Sequence, residues 1–573
     1  MVARAILAAS CFVFSLAQDG TKLVFPWVSK NAQFASIIFI HNMGAEPAAV
    51  TLTAHRALNG TGVSDAGPTQ ITIPPFGLFE SPPETLFPSF GDGSGFAVIA
   101  SSDSAELHGG WVTNNLLAGS GRSPSQGKAV RIDDLSLGGS PFVGQDLLYA
   151  YLPVTQGLTS ALVVVNVDPQ PLDVTLRFLN PQGLEVGSTL LPQLETNRPF
   201  AAVVNALVDD SQDNLMVQAS AEGNITGVAF VFNLAAEPSI GNAVSIRGDQ
   251  SDRLLMPWVS SNAQYESIVV VNNLRDEEST VRLTARRADG SEASAERAIP
   301  PFGFLEAFAS DLFSPLGQGS GFSVTVTMPH SDMYGAWVTN NLETVSGRSP
   351  SQGNAIRLPP QGQFSPEVGP NLFLSYLPVT DGLTSAPVVV NVGRKSSDVA
   401  LYFYGLDGTV TGQSTLTNVP PFQPFAAVAN SLLDDLVNSY MVAQSSEPLT
   451  GVSFVFNNAS EPSIGNGSAF FPQIPPGSTA KAQATIGTSG GELTDGSFVL
   501  TVPRNAFDGN YTLTLFEQPG SEKSVSSSYY ISGLPVNFLR NLTVEAPVSE
   551  AEGTVYLRAE SSGWSNEIEA EAM

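Results

Sequence analysis

A block of roughly 225 to 230 residues occurs twice in this chain, and this internal repeat limits its possible folds more than any other feature. Five of the repeated pairs of segments are 73–77 and 299–303 (IPPFG), 111–115 and 337–341 (WVTNN), 121–127 and 347–353 (GRSPSQG), 151–155 and 376–380 (YLPVT), and 237–242 and 461–466 (EPSIGN), and the two members of each pair are identical. Because the repeated positions carry the same apolar and polar pattern, both copies must fold on one plan. The chain is therefore a duplication and not a row of unrelated domains.

A weaker repeat divides each block into two units. Residues 267–272 (SIVVVN) resemble 386–391 (APVVVN), and each of these segments is followed by an alternating segment and a Pro-Pro-Phe sequence. The repeat predicts four related units of about 115 residues. A unit of that length can bury enough apolar surface to fold around its own core.

Apolar residues within a unit recur at every second position. Val281, Leu283 and Ala285, for example, are separated by polar residues, which is typical of a strand with one buried face. Asp-Gly pairs at 289–290 and 407–408 follow two such strands, where a tight hairpin turn is expected. Six or seven strands of this kind per unit predict a two-layer antiparallel β-sandwich of the immunoglobulin-like type.

The first residues predict an export signal. Arg4 supplies a positive charge, residues 6–14 form an apolar run, and Ala17 is a small residue at the expected cleavage point. The apolar run is too short to span a membrane. Cleavage after Ala17 would remove Cys11, the only cysteine, and with it any disulfide or thiolate. We therefore expect a secreted, extracellular protein, either free or associated with the cell surface, that has no transmembrane segment.

The charge balance excludes one class of partner. The chain has a formal net charge of -28 at pH 7, whereas proteins that bind nucleic acids need a basic surface for the phosphates. We therefore expect no nucleic-acid partner. An acidic surface also favours solubility outside the cell.

The last hundred residues follow a different pattern. A glycine pair at 490–491 precedes a strand, V-P-x-x-A-F at 502–507 and Y-x-I-S-G at 529–533. This pattern resembles the ZU5-like β-sandwich module of multidomain extracellular bacterial proteins, although Arg504 and Asn505 stand where that module usually has a small pair. Some relatives of the module lie beside self-cleaving segments with a catalytic histidine. No histidine follows His330 here, so self-cleavage is not expected.

The four repeated units resemble the uncharacterised Ig-like repeats of secreted bacterial proteins. Those repeats share a Pro-containing first strand, a strand that ends in V-x-N, a D-G turn and a Pro-Pro motif. The resemblance implies an all-β fold and an extracellular location, and it implies no particular activity. The predicted division is a signal peptide at 1–17, β-sandwich units at 20–135, 145–248, 250–362 and 368–472, and a ZU5-like β-sandwich at 478–573.

No catalytic motif was found, and the chain is predicted not to be an enzyme. The four histidines are His41, His55, His108 and His330, and none has a histidine counterpart in the other block. His55 is expected to be a solvated surface residue. The glycine-rich segments at 91–95 and 317–321 precede strands, so they are interpreted as tight turns and not as phosphate-binding loops.

Two other features leave alternatives open. Paired carboxylates at 209–210 and 434–435 could hold calcium, although acids at a turn explain them better, and no other cofactor is expected. Four tryptophans recur in both blocks, namely Trp27, Trp111, Trp258 and Trp337. They could stack on sugars, but their position within apolar strands favours a role in the core.

The identical GRSPSQG segments are the best candidate for a site. A polar loop has little packing reason to remain unchanged between copies, so we expect it to face a ligand or partner. The candidate binding residues are Arg122, Ser123, Ser125, Arg348, Ser349 and Ser351.

Three functions agree with these patterns. The first is a non-catalytic spacer or scaffold for adhesion, with an extracellular protein or glycan as its partner. The second is a glycan-binding accessory protein, and the third is the non-catalytic part of a larger secreted hydrolase.

Overall fold

The computed structural model describes residues 2–7, 21–44, 47–58, 60–103, 106–117, 123–132, 140–155, 157–208, 214–233, 236–247, 251–344, 347–359, 365–380, 382–432, 437–458, 460–469, 479–507, 511–518, 528–532, 542–547, 555–561 and 564–572. Strands account for 65% of the chain and helices for 4%, which confirms the predicted all-β fold class. The chain divides into two compact units. One consists of Thr21–Ser102 and Leu107–Phe470, and the other contains the remaining residues.

The first strand belongs to the unit that contains the C-terminus. β1 (Val2–Leu7) pairs antiparallel with the strand Leu542–Pro547. Residues 8–17, which complete the predicted signal peptide, lie outside the described residues. The signal peptide therefore stays a prediction.

The first sandwich has two separate antiparallel sheets. Its elements are β2 (Thr21–Val28), β3 (Phe34–Asn42), β4 (Ala48–Arg56), β5 (Asp65–Ile73), β6 (Leu78–Ser81), α1 (Pro83–Leu86), β7 (Phe96–Ser102), β8 (Leu107–Asn115), β9 (Ser123–Lys128) and β10 (Val130–Arg131). The strand orders are β10-β2-β7-β4-β5 and β6-β3-β8-β9. Strand β9 is therefore the edge of the second sheet.

The second sandwich repeats this topology with one long strand in place of β7 and β8. Its elements are β11 (Gly144–Leu152), β12 (Thr159–Asn166), β13 (Leu172–Leu179), β14 (Glu185–Leu194), β15 (Pro199–Val203), a 3₁₀ turn (Val204–Ala206), β16 (Leu215–Phe232), β17 (Pro238–Asn242) and β18 (Val244–Ser245). The first half of β16 pairs with β11 and β13, and its second half pairs with β12 and β17. Strand β17 is thus the equivalent of β9.

The third sandwich again has two sheets, ordered β22-β21-β24-β19-β27 and β23-β20-β25-β26. Its elements are β19 (Arg253–Val259), β20 (Tyr265–Asn273), β21 (Ser279–Arg287), β22 (Glu292–Ile299), β23 (Phe304–Phe308), α2 (Ala309–Leu312), a 3₁₀ turn (Ser314–Leu316), β24 (Phe322–Thr327), β25 (Met333–Thr344), β26 (Gly347–Asn354) and β27 (Ile356–Arg357). The predicted alternation is confirmed in β21, where Val281, Leu283 and Ala285 are fully buried. The Asp-Gly turn that follows connects β21 to β22, and Gly290 has the positive φ of 84° that this turn requires.

The fourth sandwich matches the second. Its elements are β28 (Gly369–Leu377), β29 (Leu383–Asn391), β30 (Ser397–Tyr404), β31 (Val410–Val419), β32 (Pro424–Ala426), α3 (Ala429–Leu432), β33 (Ser439–Asn457), β34 (Pro462–Asn466) and β35 (Ser468–Ala469). The long strand β33 spans both layers, as β16 does.

The C-terminal unit has a six-stranded sheet, β37-β38-β41-β1-β43-β42, and a three-stranded sheet, β36-β39-β40. Its remaining strands are β36 (Thr479–Ile486), β37 (Gly491–Thr494), β38 (Val499–Val502), β39 (Tyr511–Gln518), β40 (Ser528–Ser532), β41 (Leu542–Pro547), β42 (Val555–Ser561) and β43 (Trp564–Ala572). The V-P-x-x-A-F segment singled out in the sequence contributes Val502, Ala506 and Phe507 to its core.

The four repeated sandwiches close into a ring. Edge strand β9 contacts both β17 and β34, and β26 contacts the same two strands. Each sheet of this unit takes its strands from a single predicted repeat, although the exact domain boundaries stay predictions. The chain links the first sandwich to the second, the second to the third and the third to the fourth, so the contact between the fourth and the first closes the ring without a covalent link.

Candidate functional site

The structure places the four candidate serines of the GRSPSQG segments at the junction of the four sandwiches. Ser123 and Ser125 lie on β9, and Ser349 and Ser351 lie on β26, each with only 2% of its surface exposed. The expectation of an exposed polar loop is therefore wrong for these four serines, which belong to buried strands.

The side chains of the two candidate arginines are outside the described part of the structure. Arg122 lies outside the described residues, and Arg348 is placed as part of β26 but its side chain lies outside them. Binding of a ligand or partner by the six residues stays a prediction.

Two glutamines, one in each copy of the motif, bind across the junction. The side-chain amide of Gln126 donates to the carbonyl oxygens of Ser453 and Ser463, at 3.4 and 3.1 Å. Gln352 repeats this arrangement in the other half of the ring, where its amide donates to the carbonyl oxygens of Ala229 and Ser239, both at 3.2 Å. Both glutamines are 5% exposed, so these bonds form away from bulk water.

Asparagine side chains pair with backbone groups beside the glutamines. Asn242 accepts from the backbone N–H of Lys128 at 3.3 Å and donates to its carbonyl oxygen at 2.9 Å. Asn466 makes the same two bonds to Asn354, at 3.3 and 2.8 Å. A side-chain amide here imitates the hydrogen-bonding pattern of a neighbouring strand, so the edge strands are joined without forming a continuous sheet. These asparagines are the last residues of the two EPSIGN segments.

A buried pair of opposite charges lies at one side of the junction. Lys128 donates its Nζ to the carbonyl oxygen of Gly467 at 3.2 Å and lies 5.3 Å from the centre of the Phe142 ring. Burial raises the pKa of Glu367 to about 7, and the charge of Lys128 opposes this shift. Burial likewise lowers the pKa of Lys128, against the opposing effect of Glu367. The charge of each group thus opposes the effect of burial on the pKa of the other.

The junction encloses a small polar cavity of about 20 Å³. Its walls include Gln126, Lys128, Asn242, Gln352, Asn354 and Asn466. That volume is roughly what one water molecule requires, and it is too small for a sugar ring or a nucleotide. The polar side chains of this junction therefore form hydrogen bonds with buried backbone groups of neighbouring sandwiches.

Within the described part of the chain, no cluster of three or more His, Cys, Asp or Glu residues could hold a metal ion. The carboxylate pairs at 209–210 and 434–435 lie outside the described residues, so a calcium site there stays a prediction. The same described residues contain no helix long and apolar enough to cross a membrane.

Sequence reasoning missed one arrangement of potentially reactive groups. His55 lies 3.2 Å from the hydroxyl of Thr53 and 2.8 Å from a carboxylate oxygen of Asp65, which is the connectivity of a nucleophile, base and acid. Arg198 of the second sandwich holds the other oxygen of Asp65 at 2.6 Å. Burial alone would raise the pKa of Asp65, but the hydrogen bonds from His55 and Arg198 lower it overall. The group therefore also contributes to the contact between the first two sandwiches.

The i, i+2 spacing of Thr53 and His55 was visible in the sequence. Their pairing with Asp65 depends on the register of β4 and β5, in which His55 is opposite Asp65, and the sequence did not specify that register. The expectation that His55 is a solvated surface residue is only partly met, since the side chain is 24% exposed and hydrogen-bonded.

Two of the four repeated tryptophans form part of the core. Trp111 and Trp337 are 0% exposed, which confirms the core role for these two and excludes sugar stacking by them. Each packs flat against the last glycine of a GRSPSQG segment, Gly127 or Gly353. Trp27 and Trp258 are half-buried and pack against Gly95 and Gly321 in the same way.

The glycine-rich segments are turns, as predicted, and each is held by a buried or half-buried arginine. Arg56 is 2% exposed and donates to the carbonyl oxygens of Val63, Ser94 and Phe90, at 2.8, 2.6 and 2.8 Å. In the third sandwich, Arg287 donates to three carbonyl oxygens in the equivalent turn.

Comparison with known proteins yields no family assignment. No family model and no curated protein matches the chain. Two solved structures have weak similarity. One is a GH78 family rhamnosidase of Bacillus sp. GL1 (7% identity, 83% of this chain and 56% of that chain, TM-score 0.12), and the other is the Streptomyces avermitilis α-L-rhamnosidase complexed with L-rhamnose (9% identity, 80% and 57%, TM-score 0.11). The chain thus spans little more than half of either protein, and TM-scores this low carry no argument about fold or function.

Proposed function

We propose that this chain is a secreted, non-catalytic scaffold for adhesion or assembly outside the cell. One observation carries the proposal: the repeated polar motif that suggested a binding loop is used to hold the four sandwiches together. Gln126 and Gln352, with Asn242 and Asn466, bind between sandwiches rather than toward solvent. On this proposal, the repeat serves to build one platform from four sandwiches.

A platform of this kind protects one edge of each sandwich and leaves the other open. The edge strands β9, β17, β26 and β34 face each other at the junction, whereas β5, β14, β22 and β31 end the opposite sheets. An open edge strand can accept a strand from a partner by β-augmentation. On β14, Val186 and Leu190 are 41% and 57% exposed, which favours an extended, apolar protein segment as the partner over a glycan.

The test compares binding and catalysis in the full chain. Purified protein is assayed for turnover on a panel of glycosides and esters, for binding to immobilised extracellular matrix proteins, and for binding to a glycan array with and without calcium. His55→Ala removes the central group of the Thr53–His55–Asp65 arrangement, and Leu190→Lys places a charge on the open edge of β14. Leu117→Lys is the matched control, because Leu117 is 68% exposed but lies in a turn.

We expect no turnover, and saturable protein binding that Leu190→Lys weakens while His55→Ala and Leu117→Lys leave it unchanged. Turnover that disappears in His55→Ala would contradict the non-catalytic role and identify the protein as an enzyme. Selective glycan binding without protein binding would support the accessory-protein alternative. A blank in every binding assay would contradict the adhesion role.

A further inference from the structure

The contact that closes the ring joins the first and fourth sandwiches through aromatic residues. Phe39 stacks on Tyr376 with ring centres 4.6 Å apart, and the hydroxyl of Tyr440 donates to the carbonyl oxygen of Phe76 at 2.6 Å. A backbone bond from Leu78 to the carbonyl oxygen of Leu406 adds to the contact. No chain segment links these two sandwiches directly, so these interactions, together with the bonds that Gln126 and Lys128 make to the fourth sandwich, keep this contact shut.

The contact between the second and third sandwiches is built on the same plan. Asn214 donates to the carboxylate of Glu306 at 2.8 Å, as Asn438 donates to Glu80 at 3.2 Å in the closing contact. Phe304 donates its backbone N–H to the carbonyl oxygen of Pro181, which corresponds to the bond between Leu78 and Leu406. The ring therefore contains its own internal reference for the closing contact.

The closing contact is packed mainly with aromatic side chains and the other contact mainly with aliphatic ones, and only the closing contact carries histidines at one cross-strand pair. In the closing contact, His41 on β3 is opposite His108 on β8, whereas the equivalent pair in the other contact is Asn272 and Tyr334. The side-chain N–H group of Asn272 donates there to the carbonyl oxygen of Ala150 at 2.9 Å. The histidine pair thus replaces two groups that do not ionise near neutral pH.

The imidazole of His41 is buried among aromatic side chains. Its side chain is 0% exposed, and its ring centre lies 4.8 Å from that of Phe373 and 5.0 Å from that of Tyr440. Neither ring nitrogen has a hydrogen-bond partner of normal geometry, although the backbone of Ser375 faces the ring. His108 also packs against Phe373, with ring centres 5.4 Å apart. The closing contact is therefore complete only while His41 is neutral.

We propose that the ring has an acid-labile closure: protonation of His41 opens the contact between the first and fourth sandwiches while the equivalent contact between the second and third stays shut. The proton would place a positive charge among apolar rings and beside a second histidine, where water cannot solvate it. Opening returns both histidines to solvent.

The groups that face His41 add no compensating negative charge. Burial is the main cause that lowers the pKa of His41 well below 6.5, the charge of His108 adds to it, and the backbone of Ser375 opposes it. The remaining titratable groups in and beside this aromatic cluster are Glu80 on β6, Tyr376 on β28, Tyr402 and Tyr404 on β30 and Tyr440 on β33, and Lys128 and Glu367 lie elsewhere between the same two sandwiches. The tyrosines are neutral in acid, and Glu80 is bonded to Asn438.

The direction of the pH effect follows from the lowered pKa. The closed ring binds fewer protons than the open ring between the pKa of buried His41 and the value of 6.5 for an exposed histidine. The contribution of His41 to the closing contact is therefore complete above pH 6.5 and decreases as the pH falls below that value.

Hydrogen exchange read by mass spectrometry on the full chain tests the proposal at about pH 7.5 and pH 5, after correction for intrinsic exchange rates. Peptides covering 37–42, 107–112 and 438–442 report the closing contact, and peptides covering 148–151, 268–272 and 334–338 report the reference contact. Two variants each place in one contact the residue that the other contact has at the equivalent position: His41→Asn and Asn272→His. Circular dichroism at pH 7.5 verifies that both are folded.

We expect the protection of the closing contact to fall by about tenfold, and by no more than about thirtyfold, because pH 5 lies about 1.5 units below the value of 6.5 for an exposed histidine. The reference contact should keep its protection. His41→Asn should keep both contacts protected in acid, and Asn272→His should make the reference contact acid-labile. Equal loss at both contacts, no loss at either, or acid lability that persists in His41→Asn would overturn the proposal. If Asn272→His does not fold, the comparison of wild type with His41→Asn still decides it.

Discussion

The side-chain amide of Gln126 donates to the carbonyl oxygen of Ser463 at 3.1 Å, across 337 residues of sequence. This bond joins an edge strand of the first sandwich to the equivalent edge strand of the fourth. In the other half of the ring, the same relationship joins Gln352 to Ser239. The identity of the two GRSPSQG segments thus has a structural reason, because each copy makes the same bonds at a buried polar junction where a changed side chain would leave carbonyl groups unsatisfied.

Replacing either glutamine should weaken the ring. Gln126→Ala or Gln352→Ala leaves two buried carbonyl oxygens without a donor, so we expect a loss of about 1 to 3 kcal/mol in the free energy of unfolding. Urea denaturation measures this loss. Gln145→Ala is the control, because Gln145 also donates to a carbonyl oxygen but is exposed, and it should cost less than about 0.5 kcal/mol. Equal effects at buried and exposed positions would contradict the role of the junction.

The sequence predicted the local structure well and the junction poorly. The two-residue period of β21 and the turn at Gly290 depend on neighbours in the chain, so pattern alone indicated them. The bond from Gln126 to Ser463 depends on how four sandwiches are arranged, and no local pattern specifies that. The expected exposure of the GRSPSQG segments was wrong for their four serines, because these residues lie on edge strands that are covered by other sandwiches of the same chain.

The close packing of Trp111 on Gly127 should tolerate no side chain at the glycine. A Cβ at position 127 would overlap the indole, so Gly127→Ala must displace Trp111 from the core. We expect a loss of about 1 to 3 kcal/mol, and the same for Gly353→Ala, measured by denaturation followed through tryptophan fluorescence. Gly491→Ala is the control, since its Cβ would lie at an ordinary 3.5 Å from Ile486. A stable Gly127→Ala variant with native fluorescence would show that the indole is free to move.

Residues 2–7 form strand β1 in the structure, but they are removed from the mature protein if the predicted signal peptide is cleaved. If the export signal is cleaved after Ala17, the mature protein starts at Gln18 and lacks β1, so β41 loses one of its neighbours. We expect the N-terminus of the exported protein, determined by mass spectrometry, to be Gln18. Ala17→Arg should block cleavage, because the peptidase requires a small residue there. An exported wild-type protein that retains residues 2–7 would contradict the signal peptide and support β1 as a permanent strand.

Replacing the buried Arg56 on β4 should lower the free energy of unfolding far more than replacing an exposed arginine on the equivalent strand of another sandwich. Arg56→Met keeps the apolar contact with Phe90 but leaves the carbonyl oxygens of Val63 and Ser94 without their donor. We expect a loss of about 3 kcal/mol in the free energy of unfolding. Arg177→Met on β13, which breaks a surface ion pair with Glu185, should cost at most about 1 kcal/mol. Urea titrations of the two variants measure the difference, and similar losses would show that the turn at 91–95 does not depend on Arg56.

Glu367 should make the ring less stable as the pH rises toward neutrality. Burial raises the pKa of Glu367 from 4.5 in the unfolded chain to about 7 in the folded one, so the folded state resists ionisation of this carboxyl. Its effect is therefore absent below about pH 4.5 and complete above about pH 7. Glu367→Gln cannot ionise, so its melting temperature relative to wild type should be higher at pH 8 than at pH 4.5. Glu296→Gln, on the exposed face of β22, should show no such change. A Glu367→Gln variant that loses equal stability at both pH values would show that the carboxyl acts only through its shape.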